Sequence, residues 1–91
     1  MIIYVNLKGK VYVLKEEKSM QLYKNLGGNS GVRAFEVGGD YIDVQFSSGR
    51  TYRYSYESAG SVKVEEMKKL AIQGCGLNSY IMRNARNDYV K

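Results

Sequence analysis

The residues best suited to chemistry lie between Phe46 and Tyr56, in the run FSSGRTYRYSY. Arginines interleaved with tyrosines suit a nucleic-acid strand, because guanidinium forks take phosphate oxygens and aromatic rings stack on unpaired bases. The same alternation also suits a half-buried β-strand, whose successive side chains point to opposite faces. Arg33 and Tyr41 lie upstream of this run, and Arg83 and Arg86 form a second basic pair near the C-terminus.

Other chemistries lack their residues. Histidine is absent, which removes the commonest general base, the Ser-His and Cys-His nucleophile pairs and most zinc sites. The paired carboxylates Glu16-Glu17 and Glu65-Glu66 have lysines beside them and read as solvated charges. Cys75 sits between two glycines without a base or a resolving cysteine, so it reads as a small structural side chain. Gly27-Gly28-Asn29-Ser30-Gly31 lacks the Lys-Ser/Thr ending of a phosphate loop. The expectation is a binding or structural module, not an enzyme, with no metal and no cofactor.

A chain of 91 residues makes one domain. Fourteen Lys and Arg against nine Asp and Glu leave a formal charge of +5, a lean toward anionic partners. One cysteine cannot form an internal disulfide, which suits a reducing cytoplasm. No apolar run approaches the roughly 20 residues of a membrane helix, so no membrane partner is expected. The opening MIIYVNLKGK has no charged leader region and does not read as a signal peptide.

These residues must be positioned by mixed elements. IIYVNLKGKVYVL alternates about a glycine and predicts a hairpin. Asn6 would pair with Lys10 around the loop Leu7-Lys8-Gly9, with Ile3, Val5, Val11 and Val13 on one face. Leu22, Tyr23 and Leu26 have helical spacing after Ser19 and before Gly27-Gly28, predicting a short connecting helix near 18–26. VRAFEV and YIDVQF flank Gly38-Gly39, and a second loop, Ser47-Ser48-Gly49, sets Phe46 against Arg50. That register places Val44 opposite Tyr52, Ile42 opposite Tyr54 and Asp43 opposite Arg53. Ile42, Val44, Tyr52, Tyr54 and Tyr56 then form a core face, while Tyr41, Asp43, Gln45, Thr51, Arg53 and Ser55 face outward. Val64, Met67, Leu70 and Ala71 predict a helix capped by Ser61 and stopped by Gly74. A last helix would start at Asn78, with Leu77 stapled to Met82 and a stripe of Ile81, Ala85 and Tyr89. The class is α+β: an antiparallel meander of about five strands, counting the hairpin, with two C-terminal helices on one face and the connecting helix between.

The span from about Ser30 to Arg83 resembles the KTSC domain, found C-terminal to some lysyl-tRNA synthetases and as small free-standing bacterial and phage proteins. The likeness rests on Ser30 and Val32, on VQFSSGRTYRY, on the helix ending Leu70-Ala71, and on GLNSYI with Gly76, Asn78 and Ile81. It departs at Tyr56-Glu57-Ser58, at Ala71-Ile72-Gln73-Gly74-Cys75 and at Val37, and it leaves out the N-terminal hairpin. The resemblance implies residues 1–29 as an addition to a core of 30–91, a β-meander capped by helices, no enzymatic activity, and contact with RNA.

Two functions follow. In the first, the chain is an accessory module contacting RNA, tRNA or another nucleic acid through Arg33, Arg50 and Arg53 with Tyr41 stacking, and through Arg83 and Arg86. In the second, the edge of the N-terminal hairpin binds a protein partner or makes a homodimer.

Overall fold

The computed structural model describes residues 2–16, 20–28 and 30–91, with side chains for 5–12, 20–28 and 30–91. The protein is α+β, and the described residues form six strands in two antiparallel sheets and three helices. Strands β1 (Ile2–Leu7) and β2 (Lys10–Glu16) form a hairpin. Strands β3 (Gln21–Leu22), β4 (Val32–Val37), β5 (Tyr41–Phe46) and β6 (Thr51–Ser55) form a four-stranded meander in that order. Helices α1 (Tyr56–Ala59), α2 (Ser61–Gln73) and α3 (Leu77–Asn84) follow. Among the described residues, no helix is long and apolar enough to cross a membrane.

The β5–β6 hairpin forms in the expected register, with Ile42 opposite Tyr54, Asp43 opposite Arg53 and Val44 opposite Tyr52. Its loop closes by Phe46 N–H donating to Arg50 O at 2.9 Å and Gly49 N–H donating to Phe46 O at 2.8 Å. Gly49 has φ +94°, a left-handed conformation that costs a Cβ-free residue little. The face that bears Ile42, Val44 and Tyr54 lies beneath α2 and α3, and packs with Val64, Met67, Ala71, Leu77 and Ile81.

The N-terminal hairpin differs from the expected register by one step. Its turn has two residues, Lys8 at φ 52° and Gly9 at φ 77°, so Leu7 pairs with Lys10, Asn6 with Val11 and Val5 with Tyr12. Two left-handed residues make the turn whose twist matches that of the strands, and this preference outweighs the cost of Lys8 at positive φ. Val5 therefore shares a face with Tyr12, not with Val11. The side chains of Ile3 and Val13 lie outside the described residues.

Among the described residues of 18–26, the expected connecting helix is not present. Gln21 and Leu22 pair with Phe35 and Ala34 as an edge strand, and Tyr23 N–H donates to Arg33 O at 2.9 Å. Ser19, its expected cap, lies outside the described residues, as does Glu17. Of the three helically spaced side chains only Tyr23 is buried, while Leu22 and Leu26 are exposed. A spacing that buries one residue gives a helix no packing face.

Tyr56 is not core. Ser55 caps α1 by accepting the Ser58 N–H at 3.0 Å, and the Ser58 hydroxyl accepts the Ser55 N–H at 3.0 Å. This reciprocal capping box turns the chain before Tyr56 can continue the strand. Tyr56 is 38% exposed and donates to Glu65 Oε2 at 2.6 Å. Ser61 is the first residue of α2 instead of its cap, which is Gly60 at φ 89°. Gly74 does end α2, in the left-handed conformation, and its N–H donates to Leu70 O. Leu77 belongs to α3 and is buried, whereas Met82 is exposed, so the expected staple does not form. Ile81 and Ala85 are buried as expected, but Tyr89 lies past the end of α3.

Tyr54 couples this core to pH. Burial first, then the charges of Tyr52, Tyr89 and Asp88, push its hydroxyl from 10.0 up to about 12. The unfolded chain releases this proton near 10, so between the two values the folded state holds more protons and stability falls as pH rises. The contribution is complete below pH 10 and gone above about 12. Chemical denaturation across that window should show the wild type losing roughly 1–3 kcal/mol more than Tyr54→Phe. Equal losses would show that Tyr54 titrates normally.

Candidate nucleic-acid interface

The outward face of the meander carries Arg53, Tyr41 and their neighbours, and its chemistry is already engaged. Arg53 Nε donates to Asp43 Oδ1 at 2.8 Å, and a second guanidinium N–H donates to Asp43 Oδ2 at 3.0 Å. Such a bidentate fork uses the geometry that a phosphate would need. The Asp43 hydrogen bond leads in raising the Arg53 pKa, and Glu36 adds to the effect. Glu36 stands opposite Asp43 across β4 and β5. Tyr41 is only 9% exposed, with the Arg53 Cζ 3.9 Å from its ring centroid. Tyr41 points to the outward side, as its register predicts, but its ring is covered and offers no stacking surface. Arg33 is exposed at a bulge in β4, between Val32, paired with Phe46, and Ala34, paired with Gln45. Of the expected group, Arg53 and Tyr41 are in contact with each other, and Arg33 stands at the β4 bulge.

Another cluster is assembled as well. Phe46, Tyr52, Tyr54, Met82, Arg86, Asn87 and Tyr89 line a groove of about 310 Å³. Phe46 and Tyr52 are diagonal neighbours at the loop end of β5 and β6, and both stay half-buried. Their rings meet edge to face at 5.7 Å. The C-terminal tail then brings in Tyr89, 4.8 Å from Tyr52 and 6.4 Å from Tyr54. Val90 N–H fixes that tail by donating to Arg53 O at 2.7 Å. Arg50 lies beside Tyr52, whose hydroxyl raises its pKa by a side-chain hydrogen bond, and the guanidinium keeps its charge. Arg83 is exposed in the last turn of α3 but does not line the groove. Arg33, Arg83 and Arg86 form no ion pair among the described residues.

Arg86 thus lines this groove of aromatic rings, and Arg50, placed in a separate patch by sequence, lies beside one of its members, Tyr52. Sequence reasoning missed Phe46 and Tyr89 and assigned Tyr52 wholly to the core. The available signal was position: Phe46 and Tyr52 flank the Ser47-Ser48-Gly49 loop.

A second cavity, of about 220 Å³, is lined by Tyr23, Asn25, Gly27, Ser30, Cys75, Gly76, Asn78 and Ser79. Ser30, Gly76 and Asn78, distant in sequence, meet there, and the Cys75 thiol is exposed beside them. The Tyr23 hydroxyl accepts the Leu77 N–H at 3.3 Å, which satisfies one donor at the start of α3. Among the described residues, no group of histidine, cysteine or carboxylate side chains could hold a metal ion. Compared with protein-family models, curated proteins and solved structures, the chain shows no match.

Proposed function

We propose that the chain is a small non-enzymatic accessory module, KTSC-like from about residue 30 onward, that contacts single-stranded RNA or another nucleic acid in a reducing cytoplasm. The observation that carries this reading is the groove lined by Phe46, Tyr52, Tyr89 and Arg86, with Arg50 beside Tyr52. Unpaired bases stack on the exposed parts of the rings, at about 1–3 kcal/mol per base, and the arginines take the flanking phosphates. The formal charge of +5 favours the approach of the strand. In this reading Arg53 stays with Asp43 and the Tyr41 ring stays covered, so neither carries the contact.

The test is a titration of RNA and DNA oligomers at two salt concentrations. Binding should weaken steeply with salt, and Arg50→Ala/Arg86→Ala should lower the log–log salt slope by about 1.4, for two phosphate contacts on a single strand. Arg53→Ala should bind as the wild type does. Absence of binding at low salt would sink the proposal. Loss on Arg53→Ala alone would place the contact on the outward face.

A further inference from the structure

We propose that the chain forms a two-fold dimer by pairing the free edge of β1 with the same edge of a second copy. A two-stranded hairpin is marginal by itself, and three or more strands are needed for independent stability. Side chains from Asn6 to Tyr12 are all exposed, including Leu7, Val11 and Tyr12. Among the described residues, neither outer edge of this hairpin meets another strand.

The strand edges are unequally protected. In the main sheet β3 has only two residues, and β6 is met by the tail at Val90. Strand β2 carries Lys10, Lys15 and Glu16, and its register shift leaves Leu14 as an extra residue between the partners of Ile3 and Tyr4. Lysines and bulges are the devices that keep edges from pairing. Strand β1, Ile2–Leu7, has no charge, glycine or proline, and its backbone is the unbulged side of the pair.

A second copy fits this edge in a definite register. Residues opposite each other in an antiparallel pair either both exchange main-chain hydrogen bonds or both point away. Counting back from the Lys8-Gly9 turn, Leu7 and Val5 direct their main-chain groups at β2, so Asn6 and Tyr4 present theirs at the free edge. Setting Tyr4 against Asn6 of the second copy places Val5 opposite Val5 and Ile3 opposite Leu7, apolar against apolar. The two Lys8 residues then lie on opposite sides of the two-fold, roughly 20 Å apart along the strands, beyond the screening length of about 8 Å at physiological salt.

Sedimentation velocity of the whole chain over a concentration series tests this. The wild type should show a concentration-dependent dimer. Val5→Lys and Val5→Glu each place two like charges opposite one another at the two-fold, and each should weaken the dimer about tenfold or more. An equimolar mixture of the two variants should restore dimers, which misfolding of either variant would not do. A wild type that stays monomeric at millimolar concentration, or a mixture no tighter than its components, overturns the proposal.

Discussion

Tyr54→Ala should destabilise the protein by about 3–5 kcal/mol, the largest effect expected of any single substitution here. Tyr54 is 2% exposed, opposes Ile42 across the sheet, and sits beneath Val64, Met67 and Ile81 in the same cluster. Truncation removes the ring together with its edge contact to Tyr89, and leaves a cavity that strands held by ladder hydrogen bonds cannot collapse into. A small domain has a total stability of only about 5–15 kcal/mol, so thermal melting should drop by about 15 °C or more. Tyr56→Ala is the internal control: it loses a half-exposed ring and its bond to Glu65, and should cost under about 1 kcal/mol. Similar losses for the two would mean that the capping box does not separate strand from helix at Ser55.

Gly38→Ala should cost about 2 kcal/mol and should change the outward face. A Cβ at position 38 would come within 2.0 Å of the Tyr41 ring, far inside contact distance. The turn itself is fixed by Gly38 N–H donating to Tyr41 O at 2.9 Å, so the backbone cannot move aside cheaply. The ring must swing out, forfeiting its burial and its place under Arg53. Denaturant titration measures the cost, and Tyr41→Ala should lose a similar amount, with the double variant little worse than either single one. Fully additive losses would show that the glycine and the ring act separately.

The β5–β6 hairpin could be read from sequence because three independent signals agree there. Loop chemistry, apolar alternation and the Asp43–Arg53 match select one register, and a one-residue slip would spoil all three. The N-terminal hairpin offers no such redundancy. Its strands carry apolar residues on both faces, so apolar alternation does not choose between a two-residue and a three-residue loop, and only the twist of the turn decides. The segment before Gly27 failed differently: helical spacing was present, but the edge of β4 offered ladder bonds to Gln21 and Leu22. The final helix is legible, but it begins at Leu77, one residue before the expected Asn78, because Gly76 and not a side chain caps it.

The candidate site was less accessible than the fold. Strand periodicity tells which side of a sheet a residue faces, and it placed Tyr41 and Arg53 correctly on the outward side. It does not tell what lies over that side, so the cover of Tyr41 and the engagement of Arg53 needed coordinates. The groove depends on Tyr89 folding back onto Tyr52, a contact between residues 37 positions apart in the numbering of β6 and the tail. No local pattern encodes such a return.

The bond from Leu77 to Tyr23 has a consequence for the order of assembly. It joins residues 54 positions apart, so one backbone donor of α3 is satisfied only after the chain has closed a long loop. Leu26 N–H, donating to Gly74 O at 2.8 Å, ties the same two regions. The β5–β6 hairpin closes a loop of a few residues and can nucleate early, whereas α3 is tethered to the far end of the molecule. The segment from Tyr23 to Leu26 therefore works as a clasp: seated, it satisfies the start of the last helix and the end of α2 at once, and loosening it releases both of those groups together.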